Sequence, residues 1–309
     1  MVKRRNKRLR ERAAIISRVR SFFEARDFLE VETPLLVPSP GLDTHLDAFE
    51  LASDEPARYL ITSPEYQMKR LLAEGYERIV QVCKCFRRAE YGSRHNPEFT
   101  MVEWYRAHES VEAVIADTEE LVRTLTNGTV TLVDDGLVVN TASPFLRMTV
   151  AEAFSQYAST AEDEMLHLAE RDEDQYFRLL VERIEPAFER FTRPLFLTDY
   201  PATQASLAQK KSSDARYAER FELYVAGVEL CNGFGELTDA TEQRMRLKRD
   251  QETRRSIGLP VYPIDERFME AVAELPPCAG NALGLDRLVA LTCGTREIGG
   301  VLTFSIAEL

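Results

Sequence analysis

Apolar residues near the start of the chain recur at helical spacing within the segment 9–26. They are Ile15, Ile16, Val19, Phe22 and Phe23. This periodicity predicts an amphipathic helix. A short apolar run at 28–31 follows and ends before Thr33-Pro34, and proline readily ends a strand because it has no backbone N–H to donate. We therefore expect a helix that leads into a short strand.

The sequence Thr62-Ser63-Pro64-Glu65 marks the start of a second helix. Ser63 suits the N-cap position, Pro64 suits the first helical position, and Glu65 lies in the first turn, where the helix dipole favours an acid. The apolar face of this helix is predicted from Met68, Leu71 and Leu72. A strand pair follows it, at 79–86 and 98–105, joined by a polar connection, which indicates a hairpin.

A second hairpin is predicted at 129–139, where Asp135-Gly136 supplies the turn. Thr149 and Glu152 have the spacing of a capping box, so a helix is expected to begin between them. The acidic segment 161–190 is helical in pattern, and we assign it a solvated face rather than chemistry.

The last third of the chain returns to strand patterns. These are the segments 195–199, 218–225, 228–230 and 280–284, the last of which runs into a helical pattern at 285–292. Long antiparallel runs, with helices expected on one side, indicate an α+β fold built on a mixed, mainly antiparallel β-sheet flanked by helices. We expect residues 1–309 to form one domain with a helical and hairpin insertion around 107–195.

Composition narrows the class of protein. The chain has 309 residues, of which 44% are hydrophobic and 29% charged, as is usual for a globular protein with a substantial core. It has no apolar run near the roughly 20 residues that a membrane span needs and no apolar stretch typical of a secretory signal. Five scattered cysteines suit buried free thiols in a reducing compartment. We expect a cytoplasmic protein, and its net charge of -12 disfavours a large nucleic-acid surface.

Chemically useful side chains cluster around the first predicted hairpin. Its second strand places Phe99, Met101, Glu103 and Tyr105 on one face, since side chains alternate along a strand. An acid and a phenol that face inward are costly to bury without partners, so this face is expected to line a polar cleft. Arg87, where the preceding strand ends, could hold phosphate oxygens there. An amphipathic hairpin with surface ion pairs fits the same spacing.

Three acids, Glu222, Glu229 and Glu236, form a second group. If Ala226-Gly227 makes a two-residue turn, Tyr224 lies opposite Glu229 and Glu222 lies diagonal to it on the same face. Two carboxylates that close together suit a hard cation such as Mg²⁺, although two acids at the rim beside lysines would show the same pattern. The third acid could face a substrate ammonium group.

A glycine-rich strand end at 280–284 precedes Asp286 and Arg287. Glycines let the backbone approach a ligand closely, and an arginine in the first turn of the next helix can reach a phosphate tail. A structural turn from strand to helix is the commoner explanation of this pattern taken alone.

Taken in order, the segments 28–34, 86–99 and 284–287 resemble the three signature motifs of class II aminoacyl-tRNA synthetases, nearest to the lysyl type. The chain has no room before the first motif for the anticodon-binding domain that lysyl enzymes carry. The segment 200–209 and Ala282 are similar to the truncated lysyl paralogues that modify elongation factor P, and this resemblance covers nearly the whole chain.

The resemblance implies a ligase that uses ATP and Mg²⁺ to form an aminoacyl-adenylate. Arg87 and Arg287 would be catalytic, holding the α- and γ-phosphates, and Glu222 and Glu229 would position the metal. The implied ATP-binding residues are Arg87, Arg88, Ala89, His95, Asn96, Phe99, Glu229, Leu230, Gly284 and Arg287. The implied substrate-binding residues are Ser63, Pro64, Glu65, Glu103, Tyr105, Asn232, Glu236 and Ala282.

The same resemblance implies (R)-β-lysine or lysine as the activated amino acid and a lysine ε-amine of elongation factor P as the acceptor. It also implies a homodimer built through the first motif, and tRNA is not the expected partner. Two alternatives stay open on the sequence: a ligase of the same chemistry with tRNA or a small amine as acceptor, and a non-catalytic regulator that binds ATP or an amino acid.

Two positions depart from the synthetase pattern. Synthetases usually carry glutamate two residues after the motif-two arginine, where it recognises adenine, and this chain has Ala89 there with Glu90 one step later. Either Glu90 or backbone atoms would take that role. Gly235 stands where relatives have a larger side chain, and we expect its small size to loosen the substrate pocket.

Overall fold

An eight-stranded mixed sheet forms the centre of the computed structural model, which describes residues 2–44, 46–51, 56–205 and 207–309, with side chains from Asn6 onward. The strands are β1 Leu29–Glu30, β2 Leu36–Val37, β3 Glu50–Leu51, β4 Arg58–Leu60, β5 Arg78–Phe86, β6 Glu98–Ala107, β7 Thr129–Thr131, β8 Val138–Asn140, β9 Leu146–Thr149, β10 Leu195–Pro201, β11 Tyr217–Val225, β12 Val228–Gly235 and β13 Cys278–Gly284. The helices are α1 Val2–Glu24, α2 Glu65–Ala73, α3 Val111–Thr126, α4 Val150–Ala158, α5 Glu162–Arg171, α6 Glu173–Leu179, α7 Glu185–Phe188, α8 Ala240–Ser256, α9 Glu266–Glu274 and α10 Leu285–Thr292. Ser206, within the segment 200–209 used above, lies outside the described residues.

The sheet order is β1-β5-β6-β13-β12-β11-β10-β9. The six central strands pair antiparallel, and one parallel pair closes each edge, β1 with β5 and β10 with β9. The prediction of a mixed, mainly antiparallel sheet in an α+β fold is therefore confirmed. Smaller sheets are formed by β2-β4-β3 and by the β7-β8 hairpin.

Helices cover both faces of the sheet, so the expectation of helices on one side is wrong. On one face, α1, α3 and α10 enclose a core that includes Val80 and Trp104. On the other face, α2 and α9 pack against Ile79 and Tyr105. Because consecutive strand residues point to opposite faces, the neighbouring apolar residues Ile79 and Val80 of β5 already require apolar cover on two sides.

The segment around 107–195 contributes to two cores. Helix α3 packs within the main core and contacts β13 and β12. Strand β9 joins the main sheet, while α4 to α7 build a separate core around Phe154, Tyr176 and Phe188. The Thr149 capping box that begins α4 is confirmed, since the side chain of Thr149 accepts from the backbone N–H of Glu152. The insertion boundaries stay a prediction.

Within the described part of the chain, no helix has both the length and the apolar character that crossing a bilayer requires. The buried side chains instead form the cores between helices and sheet. Beside α2, part of one face of the central strands β5, β6, β12 and β13 is left open, and a cavity lies there.

Candidate active site

A cavity of about 410 Å³ lies on the sheet face that carries Phe99 and Met101. It is lined by many of the residues expected from the sequence. These are Ser63, Glu65, Arg87, His95, Asn96, Phe99, Glu222, Glu229, Leu230, Asn232, Ala282, Gly284 and Arg287. The three separate sequence clusters therefore meet in one place. The second hairpin strand lines this cavity with Phe99 and Met101, whereas Glu103 and Tyr105, which were predicted on the same face, do not line it.

Six expected residues do not line this cavity: Pro64, Arg88, Ala89, Glu103, Tyr105 and Glu236. The side chain of Arg88 is about half exposed and pairs with Asp47 at 3.4 Å. Ala89 takes a left-handed conformation with φ of 67°, and Pro64 precedes the first turn of α2 without lining the cavity. Helix α2 begins at Glu65 rather than Pro64, but Ser63 still caps it, because its Oγ accepts from the backbone N–H of Glu65 at 3.1 Å.

Arg87 projects from the end of β5 into the cavity. Its guanidinium lies 3.5 Å from a carboxylate oxygen of Glu90 and 5.0 Å from the centre of the Phe99 ring. Its Nε donates to the carbonyl of Thr62 at 3.4 Å. Glu90 also lines the cavity. An arginine held loosely by one carboxylate beside an aromatic ring can exchange that partner for a phosphate oxygen.

Arg287 is the second cation of the cavity. Its Nη1 donates to the backbone carbonyl of Glu229 at 2.8 Å and to the carboxylate of Glu229 at 3.2 Å. His95 lies 2.8 Å from its Nη2. Burial and the positive charge of Arg287 lower the pKa of His95, so the imidazole is neutral at pH 7 and can accept the hydrogen bond. This arrangement aims a guanidinium fork at the same cavity as Arg87.

The acidic pair is present, with a register that differs from the expected one. Tyr224 lies opposite Glu229 as predicted, but Leu223 then pairs with Cys231, so the strand pair contains a bulge at Leu230. Both Glu222 and Glu229 still line the cavity. The diagonal predicted from a regular two-residue turn is wrong because a bulge adds one residue to one strand.

Each acid of the pair already has a partner. Glu222 accepts from Arg220 at 2.7 Å and from the hydroxyl of Tyr224 at 2.8 Å. The same hydroxyl lies 3.2 Å from Glu185. Burial, together with the charges of Glu222 and Glu229, raises the pKa of Glu185 to about 7. Arg220 and Glu185 were missed from the sequence, since nothing in their local pattern links α7 to β11.

Two carboxylates that line one cavity are suitable ligands for a hard cation. Among the residues that the structure describes, no group of three or more histidine, cysteine, aspartate or glutamate side chains could hold a metal ion unaided. A metal at Glu222 and Glu229 would therefore share its coordination with ligand oxygens. Phosphate oxygens of a bound nucleotide fit that requirement.

Glu103 and Tyr105 do not line the cavity themselves but are buried next to Ser63 and Glu65, which do; we call this buried region the closed end of the site. Glu103 accepts from the hydroxyl of Ser63 at 2.9 Å and from the hydroxyl of Tyr105 at 2.6 Å. Burial and the nearby charge of Glu65 raise the pKa of Glu103 to about 8, against the lowering effect of those two hydrogen bonds. This carboxyl group is protonated at pH 7 unless a cation joins it.

Lys69 also lies at the closed end, and the sequence analysis did not predict it there. Its Nζ lies 2.6 Å from a carboxylate oxygen of Glu65 and 2.6 Å from one of Glu236. Burial raises the pKa of Glu236, and the charge of Lys69 opposes that rise. The available signal was the four-residue spacing from Glu65 to Lys69, which places both side chains on one face of α2.

Gly280 and Gly235 differ in their relation to the site. A Cβ at Gly280 would lie 2.2 Å from the Tyr105 ring and 3.0 Å from Glu236, so glycine makes room for the closed end. A Cβ at Gly235 would lie 2.2 Å from a carboxylate oxygen of Glu219. Glu219 does not line the cavity, so the expectation that Gly235 loosens the substrate pocket is wrong.

Asn96 holds the motif-two loop to a distant part of the chain. Its Nδ2 donates to the carbonyl of Glu98 at 2.6 Å, and its Oδ1 accepts from the backbone N–H of Ile306 at 2.9 Å. Asp286 plays a comparable role, since it accepts from the backbone of Thr100 and pairs with Arg12. These contacts fix the loop and the start of α10 against each other.

Comparison with known proteins gives one family. The family model for class II tRNA synthetases of the D, K and N type matches residues 1–308. A protein of Proteus mirabilis (strain HI4320) is 42% identical over 313 residues, covering 96% of this chain and 94% of the relative. Proteins of Salmonella typhi and Avibacterium paragallinarum are 40% and 39% identical, each over 96% of this chain and over 94% and 95% of their own. All three are named elongation factor P–(R)-β-lysine ligase.

Proposed function

The chain belongs to the class II tRNA synthetase family, an ATP-using ligase family, and we propose that it activates (R)-β-lysine or lysine and transfers it to elongation factor P. The acceptor would be a lysine ε-amine of that factor. Support comes from relatives of 38% to 42% identity that carry this activity in their names. The observation that carries the proposal is a cavity lined by Arg87 and Arg287, with Glu65 in its wall and the buried acids Glu103 and Glu236 close to it.

The first step joins the amino acid to the nucleotide. A carboxylate oxygen of the substrate attacks the α-phosphorus of ATP and forms a new P–O bond. The bond from the α-phosphorus to the oxygen that bridges it to the β-phosphate breaks, and pyrophosphate leaves. Arg87 would stabilise the negative charge that develops on the α-phosphate, and Arg287 would hold the γ-phosphate. Phe99 would stack on adenine, with Glu90 or backbone atoms beside it.

Glu222 and Glu229 would hold Mg²⁺ against the phosphate oxygens. Bound there, the ion supplies charge neutralisation to the polyphosphate. Arg220 and Tyr224 keep Glu222 oriented, while Arg287 keeps Glu229 oriented. The protein thus presents both carboxylates in fixed positions before any ligand arrives, which lowers the cost of organising the site.

The closed end would recognise the amino groups of the substrate. Glu65, Glu103 and Glu236 surround it, and Tyr105 closes it. In the second step an acceptor ε-amine, in its neutral form, attacks the acyl carbon; AMP leaves, and an amide bond forms. The open side of the cavity provides the approach for that amine.

We further propose a cytoplasmic homodimer. Three leucines near the first motif are unusually exposed for their type, Leu29 at 50%, Leu35 at 37% and Leu36 at 44%. Exposed leucines beside an edge strand are suited to bury against a second copy. Light scattering of the purified chain tests this part separately.

The direct test is a mass measurement on elongation factor P. The full chain is incubated with the factor, ATP, Mg²⁺ and (R)-β-lysine, and in a parallel arm with α-lysine. We expect a mass increase equal to one lysyl residue, on a single lysine, and faster with one isomer. Pyrophosphate exchange without modification of the factor would contradict elongation factor P as the acceptor and indicate a different one. Absence of exchange with both isomers would contradict the proposed activation of lysine or (R)-β-lysine.

A further inference from the structure

Three sulfur atoms lie together on the sheet face that carries Phe99 and Met101. Cys83 and Cys85 occupy alternate positions of β5, and Met101 of β6 lies directly opposite Cys83 in the strand register. Residues two apart in a strand share one face, and so do directly opposed residues of paired strands. The Sγ atoms of Cys83 and Cys85 are 3.9 Å apart, and the Sδ of Met101 lies 4.0 Å from the Sγ of Cys85.

The surroundings of these sulfurs are apolar but reach the surface on one side. Cys85 and Met101 are buried in a small cluster with Val37 and Ile61. Cys83 packs against the same cluster and is partly exposed. Met101 also lines the cavity. The sulfur group is therefore shielded from bulk water and still accessible to a small ion through the side of Cys83.

A disulfide does not suit the two cysteines. Residues two apart in an extended strand have Cα atoms about 6.6 Å apart, which is twice the rise per residue and close to the upper limit of about 6.8 Å for a disulfide. The Sγ atoms would also have to approach from 3.9 Å to about 2.05 Å. That approach would bend β5 at two positions where it pairs with β6.

The observed spacing suits a metal ion at the centre of the three sulfurs. With metal–sulfur bonds of about 2.3 Å, the length of a zinc–thiolate bond, the ligands of a trigonal site lie about 4.0 Å from one another. The two separations in the structure are 3.9 and 4.0 Å. The strands can therefore stay in their present register when the ion binds.

The chemistry of the three donors selects the ion. Two thiols and a thioether are soft ligands, and a thioether in the set favours Cu(I). Structural zinc is held by four ligands drawn from cysteine, histidine and acidic side chains. In the part of the chain that the structure describes, no group of three or more such side chains is placed to hold a metal. The hard ion Mg²⁺ prefers oxygen ligands, so this sulfur group does not compete for it with Glu222 and Glu229.

We propose that Cys83, Cys85 and Met101 form a binding site for one Cu(I) ion in the reduced protein. Coordination replaces the proton of each thiol by a bond to the ion, and the two protons pass to solvent. The oxidation state of copper does not change. The inference does not depend on the proposed function, because binding of the ion requires neither ATP nor an amino acid.

Anaerobic titration measures this binding directly. The full chain, reduced and freed of metal, is mixed with Cu(I) held by an excess of the coloured chelator bathocuproine disulfonate, and the loss of colour reports the copper that the protein takes. We expect one equivalent of Cu(I) per chain. X-ray absorption of the loaded protein should show three sulfur neighbours around copper.

Four variants locate the site. Cys83→Ser and Cys85→Ser keep the size of the side chain and replace a soft donor by a hard one. Each should lower the affinity for Cu(I) at least about 100-fold, since disturbing even an outer partner of a metal ligand costs about 10- to 100-fold. Met101→Leu should leave two sulfur neighbours. Cys293→Ser is the matched control, because Cys293 is partly buried elsewhere and its Sγ donates to Glu11 at 3.1 Å; it should bind Cu(I) as wild type does.

The inference fails if wild type takes no more Cu(I) than the Cys83→Ser and Cys85→Ser proteins, or if Cys293→Ser loses as much as they do. Three sulfur neighbours that persist in Met101→Leu would also overturn it. If Cys85→Ser does not fold, Cys83→Ser decides the question, because its side chain is partly exposed and tolerates a hydroxyl. Melting temperatures of the metal-free variants check that each is folded.

Discussion

Binding of a lysine-like substrate should release a proton from Glu103. The pKa of this buried carboxyl is raised to about 8 in the free protein, so at pH 7 roughly 90% of the molecules hold the proton. An ammonium group that joins Glu103 favours the ionised form. Binding should therefore release about 0.9 proton from Glu103 at pH 7 and about 0.5 at pH 8.

The same equilibrium sets the pH dependence of affinity. Only the ionised form of Glu103 accepts the ammonium group, so affinity follows its fraction and rises roughly fivefold from pH 7 to pH 8. The stability of the folded chain changes with pH in the opposite direction to the affinity. Between the ordinary pKa of a glutamate and about 8, the folded chain holds a proton that the unfolded chain has lost. Glu103 thus favours folding less as pH rises through this window.

Isothermal titration calorimetry checks both statements. Lysine is titrated into the full chain at each pH in two buffers of different ionisation enthalpy, and the difference in heat gives the protons released. Glu103→Gln is the control, because it keeps the shape and removes the titration; we expect its proton release at pH 7 to fall close to zero. Proton release near zero in wild type at pH 7, or equal release in Glu103→Gln, would refute the role assigned to this carboxyl.

Three further outcomes follow from the geometry. Arg87→Ala should lower pyrophosphate exchange at least a thousandfold with an unchanged melting temperature, whereas Arg88→Ala, whose side chain points away from the cavity, should lose less than tenfold; comparable losses would contradict the placement of the two side chains. Gly280→Ala should raise KM for lysine at least tenfold because its Cβ would overlap an aromatic ring at the closed end, while Gly299→Ala, which has open space, should leave KM unchanged. Leu29→Asp should shift light-scattering mass toward the monomer, and a dimer of unchanged stability would exclude this edge as the interface.

Much of the fold was accessible from the sequence because its signals are local. Alternation along the hairpin at 98–105 and the turn at Asp135-Gly136 are set by neighbours a few residues away, and both are confirmed. The Thr149 cap is confirmed for the same reason. The placement of helices on both faces was missed, because it depends on which long connections cross the sheet.

The residues that line the cavity were predictable from the sequence only where they belong to a recognisable motif. Arg87, Arg287, Glu222 and Glu229 line one cavity as expected, whereas Glu103 and Glu236 are buried outside its lining. Lys69 was missed because a lysine on an amphipathic helix is normally solvated. Its burial depends on Glu236, far away in sequence. Gly235 was misread because the bulge at Leu230 and the pairing of β12 decide which face a residue presents.

The tie between Asn96 and Ile306 has a practical consequence for handling this protein. Residues at the end of the chain hold the motif-two loop through the Asn96 amide, and that amide lines the cavity. Purification tags fused after Leu309 therefore sit close to the active site. Helix α1 also reaches this region, since Arg12 pairs with Asp286, which lines the cavity, at 2.5 Å. Assays of this chain should therefore use protein from which a tag at either end has been removed before activity is compared between variants.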